Sequence, residues 1–319
     1  MARFAHALVV LLTALATNAA LAQWSPARPI RLIVPNPPGG ATDNLARVIA
    51  PKLSELLGQT VVVDNRPGSN GNLATEATVK ATPDGHTVLL GQDSQIVISP
   101  HLYRNLPFDT LKELLPVASL VSTQMLLAVH PSLPVKSVPD FVDHARRANP
   151  PLAYGSIGNG SQHHLAMEML KRASGINVLH VPYKGGGPAL VGLFSGEVTV
   201  MFGGSSAAPH VRSGKLRALA LAGKRNPAYP GLPALSEFYP GVEVNPWLAL
   251  FGPAGLPAPV LARLRAETGR VLADAETAGR IRGIALDPFV TTPQEFAAYL
   301  RSEYRKYGDV VKAAGIRID

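Results

Sequence analysis

The chain has 319 residues, a formal net charge of +8 and no cysteine. This length allows two lobes with separate cores, and the lack of cysteine excludes disulfides, thiol catalysis and a lipid-anchored cysteine. The basic residues are scattered and only 6% of the residues are aromatic. We therefore expect no nucleic-acid partner, and we read the charge as an attraction for anionic solutes or simply as solubility.

The segment 1–22 has the pattern of an export signal. Arg3 precedes the apolar run Ala7–Ala16, and Ala20-Leu21-Ala22 forms a small-residue cleavage site before Gln23. The run is too short to remain in a bilayer as an anchor, and no comparable run follows it. The sequence therefore predicts a cleaved signal peptide over residues 1–22 and a soluble mature protein in the bacterial periplasm.

Strand and helix patterns alternate along the rest of the chain, which predicts an α/β protein with largely parallel sheets. The first unit is a strand, Ile30–Val34, followed by prolines, the pair Gly39-Gly40 and a helix that starts near Thr42-Asp43-Asn44. The prolines stop the strand. Unpaired N–H groups at such a helix start attract an anion, although a tight turn without a ligand gives the same pattern.

The alternation continues to the end of the chain. Strands are predicted at Val61–Asp64, Thr87–Gly91, Leu115–Val121, Met125–Val129, Leu152–Tyr154, Val178–Val181, Val198–Phe202, Leu216–Ala222 and Trp247–Phe251. Helices are predicted from Asn72 and Ala189 and over Ser137–Ala148, Gln162–Ala173, Pro257–Ala273, Glu276–Gly283 and Pro293–Ala314.

The chain is predicted to cross between two lobes twice, near Ser122–Gln124 and near Asn245–Trp247. These crossings would form the hinge. They divide the mature chain into a first lobe, residues 23–122 plus 247–319, and a second lobe, residues 123–246.

Five predicted strands end in turns rich in glycine and small polar residues. In open α/β sheets such turns gather outside the carboxyl ends of the strands, where ligands bind. Their donors are mainly backbone N–H, hydroxyl and amide groups, which suit a carboxylate. The turns lie at Pro35–Asn44, Asn65–Gly71, Gly155–Ser161, Pro182–Pro188 and Gly203–Ser206, and a further polar strand end is Gln92-Asp93-Ser94.

Single side chains in these turns leave alternatives open. Asp43 suits a helix cap, and Asp93 suits either recognition of a ligand amine or a turn cap. Tyr183 and Lys184 follow a strand and are candidates to contribute side chains to the cleft, although a surface lysine after a strand is common.

Ser156 and His164 leave a secreted serine-type hydrolase open as an alternative function. The glycine that a nucleophile elbow needs two residues before the serine is missing, and the chain has neither a dinucleotide fingerprint nor a phosphate loop. His163 and His164 are adjacent, so on a helix they face different ways and form a poor metal pair. We therefore expect no enzyme activity, no cofactor and no metal.

Several motifs together resemble the substrate-binding proteins of tripartite tricarboxylate transporters, the Bug or TctC family. They cover essentially the whole mature chain. The motifs are Val34–Asp43, Val63–Gly68, Pro83-Asp84-Gly85, Tyr154–Ser161 with His164, His180–Gly185 and Gly214–Ala220.

The resemblance implies a two-lobed periplasmic binding protein (a Venus flytrap) with a hinge between two Rossmann-like α/β lobes, which closes over an organic anion. It implies that main-chain donors of the loops Pro38–Asp43 and Ser156–Ser161 hold the ligand carboxylates. It also implies membrane subunits of a tripartite tricarboxylate transporter as partners, and we expect a monomer. The candidate ligand residues are Pro38, Gly39, Gly40, Ala41, Thr42, Asp43, Ser69, Gln92, Asp93, Ser156, Gly158, Asn159, Gly160, Ser161, His164, Tyr183, Lys184, Gly204 and Ser205.

Three segments depart from the family pattern. The chain has Ser69-Asn70-Gly71 where the family often has Ala-x-Gly, Ser99 where an asparagine is usual, and Gly203-Gly204 in place of Asp-Asn. These departures leave the distal ligand contacts and the identity of the acid open. An extracytoplasmic sensor subunit also remains open as an alternative to transport.

Overall fold

The computed structural model describes residues 24–204 and 206–318. The predicted signal peptide, residues 1–22, and the candidate ligand residue Ser205 lie outside the described residues.

Eleven strands and eleven α-helices are described within those ranges. The strands are β1 (Ile30–Val34), β2 (Val61–Asn65), β3 (Thr87–Gln92), β4 (Leu114–Ser122), β5 (Leu126–Val129), β6 (Ala153–Ser156), β7 (Leu179–Pro182), β8 (Val200–Gly203), β9 (Arg217–Leu221), β10 (Trp247–Pro253) and β11 (Asp287–Pro288). The helices are α1 (Ala41–Leu57), α2 (Asn72–Val79), α3 (Ser99–Leu102), α4 (Thr110–Glu113), α5 (Val138–Arg147), α6 (Gln162–Ser174), α7 (Gly186–Ser195), α8 (Ala208–Arg212), α9 (Ala258–Ala273), α10 (Ala275–Gly283) and α11 (Pro293–Ala314). The described residues include no helix that is both long and apolar enough to cross a membrane.

The strands form two sheets, one in each lobe. The six-stranded sheet of the first lobe has the order β11-β4-β10-β3-β1-β2, and the five-stranded sheet of the second lobe has the order β7-β6-β8-β5-β9. The two-lobed α/β fold predicted from the sequence is thus confirmed.

The prediction of largely parallel sheets was wrong, because both sheets are mixed. In the first lobe β1 is parallel to β2 and β3, but β10 is antiparallel to β3 and β4. In the second lobe β6 is parallel to β7 and β8, but β5 is antiparallel to β8 and β9. The reason is that the chain enters β5 and β10 directly from the other lobe, at the edge of the sheet where the parallel strands end. Both strands therefore run in the opposite direction to those parallel strands.

The two crossing segments touch each other. The Thr123 N–H donates a hydrogen bond to the Pro246 carbonyl over 3.0 Å, so the passage from β4 to β5 runs beside the passage into β10. These are the segments in which the sequence predicts the hinge.

The first-lobe sheet buries a different core on each face, and strand alternation decides which residue meets which core. On one face Val88, Leu90 and Leu248 pack with α1 and α9. On the other face Leu89 and Phe251 pack with α11. The same alternation continues at the ends of these strands. It determines which face of the sheet Gln92 and Asp93, at the polar end of β3, each occupy.

Candidate ligand-binding site

The loop between β1 and α1 presents an uncapped helix N-terminus. Gly40 is the N-cap residue, its backbone is extended, and no side chain caps the helix. The Asn44 N–H makes the first bond of the helix, to the Gly40 carbonyl. The N–H groups of Ala41, Thr42 and Asp43 therefore have no partner within the helix, and their partial positive charge favours an anion.

The Asp43 side chain fixes the conformation of the loop between β1 and α1. Its Oδ2 accepts hydrogen bonds from the Gly39 N–H (2.9 Å) and Arg47 Nε (3.0 Å), and its Oδ1 accepts from Asn65 Nδ2 (3.0 Å). Burial raises the pKa of Asp43, but the hydrogen bonds from Arg47, Gly39 and Asn65 outweigh it and hold the pKa below its usual value. The Asp43 carboxylate is buried, and its two oxygens already accept these three hydrogen bonds. It therefore stabilises the loop and does not bind the free N–H groups at the start of α1. Gly39 has φ of +89°, a conformation that favours glycine.

The side chains of Thr42 and Gln92 join α1 to the end of β3. Thr42 Oγ1 donates to Gln92 Oε1 over 3.0 Å, and Gln92 Nε2 donates to Ser94 Oγ over 2.8 Å. Strand alternation places Gln92 on the α1 face of the sheet. The structure thus brings these two predicted residues together at the carboxyl edge of the sheet.

Asp93 faces the opposite way and is not brought to this edge. It is fully buried, and the charges that act on it belong to Glu303 and Lys306 of α11. Burial, and then the Glu303 charge, raise the pKa of Asp93 to about 8. Its Oδ1 accepts a hydrogen bond from the Ser94 N–H over 2.8 Å, which agrees with the turn-cap interpretation.

The turn after β2 brings two family departures into contact. Ser69 and Asn70 both have positive φ, +47° and +55°, which is costly for residues other than glycine. Asn70 Nδ2 lies 3.4 Å from Ser99 Oγ, so an asparagine side chain of the facing turn contacts the residue at position 99. Beside this turn the fully buried Gln95 amide has no hydrogen-bond partner. Ser69 itself is exposed.

The second lobe offers a matching loop between β6 and α6. Ser161 is the N-cap of α6: its Oγ accepts from the His164 N–H over 3.3 Å and donates to the Gly158 carbonyl over 2.7 Å. Gly158 and Gly160 have φ of +137° and +71°, so this path of the backbone requires glycine. Asn159 is exposed at the tip of the loop.

A stack of three rings supports this loop and includes His180, which is not among the predicted ligand residues. The ring centroids of His164 and His180 are 3.9 Å apart, and those of His180 and Tyr154 are 4.8 Å apart. His180 Nε2 lies 2.7 Å from Ser156 Oγ, and His164 Nδ1 accepts from the Gly160 N–H over 3.1 Å. His180 lies within a motif of the family resemblance. It is 24 residues from Ser156 in the sequence, and this separation does not indicate that the two side chains meet.

The serine-histidine pairing of the hydrolase alternative is not formed. Ser156 Oγ pairs with His180 and with the Gly158 backbone, whereas His164 pairs with Gly160. The Ser156 side chain is fully buried. The contact that this alternative requires between Ser156 and His164 is therefore not present, since His180 of strand β7 lies beside Ser156.

The remaining candidates of the second lobe divide into two groups. Gly204 lies beside His163: a Cβ placed on it would be 3.6 Å from His163 Nε2. Tyr183 packs its ring over Gly155 and its hydroxyl against α7, so the structure does not extend this side chain toward α6. Lys184 is exposed. Among the described residues, no three His, Cys, Asp or Glu side chains converge as a metal site would require.

The two lobes meet where the α6 loop reaches α3. Gly160 packs against Leu102 and against Ile318 near the C-terminus, and Leu102 ends the short helix that begins with Ser99. The α6 loop thus contacts the helix whose first residue, Ser99, is in contact with Asn70. Two surface cavities of about 410 and 350 Å³ border α11, and no predicted ligand residue lines either of them.

The fold and these loops define a two-lobed periplasmic binding protein in which the α6 loop contacts the first lobe. The model of the tripartite tricarboxylate transporter family receptor matches residues 45–316. The chain belongs to this family, which confirms the resemblance seen in its motifs.

Known relatives cover nearly the whole chain. Protein BugT of Bordetella pertussis is 33% identical over 297 residues, which cover 92% of this chain and 91% of BugT. The structure of Rhodopseudomonas palustris Rpa4515 with adipate is 33% identical with a TM-score of 0.84, covering 92% of this chain and 99% of that one. MatC from the same organism, with bound malate, is 31% identical with a TM-score of 0.79, covering 90% and 99%.

Proposed function

We propose that the protein captures a small organic carboxylate between its lobes and delivers it, chemically unaltered, to the membrane subunits of a tripartite tricarboxylate transporter. The observation that carries this proposal is the uncapped N-terminus of α1, whose one acidic residue, Asp43, is already occupied by three donors. Adipate and malate, bound by two similar proteins, support an acid as the ligand class.

One carboxylate docks on the N–H groups of Ala41, Thr42 and Asp43. The Gln92 amide, which the Thr42 hydroxyl orients by donating to its Oε1, completes this pole, and Pro38 and Gly39 form its rim. The α6 loop, residues 156–161, supplies donors from the second lobe. Charge-assisted bonds of this kind are short and strong, and they must be numerous because burying a carboxylate without them is costly.

Lobe closure follows from the same requirement. Each lobe alone offers only some of the hydrogen-bond donors that the ligand needs. While the lobes are apart, water makes the remaining hydrogen bonds to the ligand. The two adjacent crossings, near Thr123 and Pro246, are the segments that bend. A ligand that contacts both loops stabilises the closed arrangement by its additional contacts there.

The predicted signal peptide, residues 1–22, exports the chain to the periplasm, where it acts as a monomer without cofactor. Sedimentation of the mature chain tests the monomer. Co-purification with the membrane subunits, as opposed to a membrane-bound histidine kinase, separates transport from sensing.

The central test is a thermal-shift screen of residues 23–319 against malate, adipate and citrate, followed by calorimetry. The matched controls are the diamides of malate and adipate, which keep the shape and lose the charge. We expect an acid to raise the melting temperature, since saturation at about a hundred times Kd adds about 2.7 kcal/mol. Mass spectrometry of the recovered ligand should show it unchanged. The proposal fails if no acid binds, if a diamide binds as well as its acid, or if the ligand is converted.

A further inference from the structure

Two histidines of the second lobe, His164 and His180, form a nearly parallel stacked pair beneath the α6 loop. Their ring planes are 14° apart at a centroid distance of 3.9 Å. Each ring makes one short contact with the loop: His164 with the Gly160 N–H and His180 with Ser156 Oγ. The two rings therefore hold both ends of the segment 156–160.

The contact with Gly160 determines where the His164 proton can be. A backbone N–H can only donate, so His164 Nδ1 must offer its lone pair, and the ring proton is on Nε2. Nε2 lies 3.9 Å from Glu168 Oε1. Protonation of Nδ1 would place two N–H groups against each other over 3.1 Å, which breaks the bond and releases Gly160.

The surroundings of the stack do not favour a positive charge. The Glu168 carboxylate already accepts hydrogen bonds from the Tyr154 hydroxyl (2.9 Å) and from Lys171 Nζ (2.7 Å). Its charge is therefore paired with a lysine that also repels an imidazolium. Burial lowers the pKa of His164, and burial together with the neighbouring His164 lowers the pKa of His180 to about 4.

Ser156 transmits the position of His180 to the turn. Its Oγ lies 2.7 Å from His180 Nε2 and accepts the Gly158 N–H over 3.1 Å. Ser156 is fully buried, so without His180 its hydroxyl would have one fewer partner and the turn at Gly158 one fewer constraint.

We propose that His164 and His180 are positioning residues that hold the α6 loop in its binding conformation as a pair of uncharged, stacked imidazoles, so that an acidic medium releases the loop and its ligand. This inference rests on the proposed function in assigning the loop to the ligand site. The conformation of the loop itself can be tested without a ligand.

The first experiment follows the histidine side chains of residues 23–319 by ¹⁵N NMR while the pH is lowered from about 8 to about 4. We expect His164 to carry its proton on Nε2 and to stay neutral at pH 6, and the Gly160 amide resonance to move with the His164 titration. A His164 that carries its proton on Nδ1 or is charged at pH 7 overturns the proposal, whether or not any acid binds. A Gly160 amide resonance that does not move as His164 titrates also overturns the proposal.

The second experiment measures adipate affinity at pH 7.5 and pH 5 for two variants of the same residue. His164→Asn keeps an acceptor for the Gly160 N–H and cannot titrate, whereas His164→Phe keeps a stacking ring and loses the acceptor. We expect the Asn variant to bind within about threefold of wild type at pH 7.5 and to lose less affinity at pH 5, and the Phe variant to bind about tenfold more weakly at both.

His144→Asn, on another helix of the same lobe, is the matched control and should follow the wild type at both pH values. Equal pH dependence in wild type and His164→Asn overturns the proposal. If wild type binds neither adipate nor another acid of the screen, the proposed function fails, and the Gly160 titration alone then decides the role of the histidines.

Discussion

Replacing Asp93 by asparagine is expected to stabilise the protein in alkaline but not in acidic solution. The Asp93 side chain is fully buried, its Oδ2 has no hydrogen-bond partner, and its Oδ1 accepts the Ser94 N–H. Asparagine can keep that acceptor in nearly the same volume. The change therefore removes an ionisable group without breaking a bond.

The magnitude follows from the two protonation equilibria. The carboxyl has a pKa of 3.8 when unperturbed and of about 8 in the folded chain, through burial and the Glu303 charge. The stabilisation from the neutral form is complete below 3.8 and is lost as the pH rises through 8, because the unfolded chain releases a proton that the folded chain retains. A shift of about four units is worth up to about 6 kcal/mol. Relaxation of the interior reduces this, and we expect about 1 to 3 kcal/mol at pH 8.

Thermal unfolding at pH 5 and pH 8 measures the effect. A gain of that size corresponds to several degrees, at about 2 to 4 °C per kcal/mol for a chain of this size. Asp43→Asn is the matched comparison, because Asp43 is equally buried but accepts three hydrogen bonds as a carboxylate. It should lower the melting temperature at pH 8. Equal gains for Asp93→Asn at both pH values, or a loss at pH 8, would refute the reasoning.

Three further predictions concern the loops and a buried histidine. Gly40→Val should weaken acid binding at least about tenfold in calorimetry with little change in melting temperature, because a Cβ there meets Pro37 O at 3.7 Å and Asn36 Cβ at 3.9 Å, both ordinary van der Waals distances; unchanged affinity would count heavily against the site. Gly160→Ala should weaken acid binding by forcing the α6 loop away from Leu102. In a double-mutant cycle, Leu102→Ala should partly restore the affinity of the Gly160→Ala variant. Strictly additive effects of the two substitutions on affinity would contradict this contact. Burial lowers the pKa of His163 from 6.5 to about 4, so stability should fall as the pH drops from 6.5 toward 4, by at most about 3 kcal/mol. His163→Gln should flatten this fall in urea unfolding, and an unchanged pH profile in that variant would oppose the assignment.

The sequence predicted the elements well where apolar residues repeat with a clear period. The last helix begins at Pro293 and ends at Ala314 as predicted, since Thr292 and Glu295 form a capping box that marks its start. The direction of β5 and β10 could not be predicted in this way, because apolar content does not encode the direction of a strand in its sheet. The π-helical turn Ser94–Ile98 was also missed, since its residues resemble a continuing strand.

The candidate site was predictable to the extent that it depends on backbone. Glycine positions and helix starts are local features, and they indicated the loops at Gly40 and at Gly158–Ser161. Contacts between distant side chains were not predictable: Ser156 meets His180 because β6 and β7 pair in a parallel register that aligns Tyr154 with His180. Asp93 was a candidate because it belongs to the polar strand end Gln92-Asp93-Ser94, where the sequence left a ligand contact and a turn cap open, yet adjacent residues at a strand end face opposite sides of the sheet.

The charge state of the buried groups favours an anion over a cation as the ligand of the proposed site. Asp43 is negative, but Arg47 and two further donors occupy its oxygens. Asp93 has its pKa raised to about 8 by burial and Glu303 and lies on the α11 side of the sheet. His163 and His180 have pKa values of about 4 because they are buried, and they add no positive charge near neutral pH. The helix N–H groups therefore contribute an uncompensated positive polarity at the strand ends. That polarity is fixed in direction by the backbone and does not titrate, so affinity for an acid should depend on the shape of the loops and on the ligand's own ionisation.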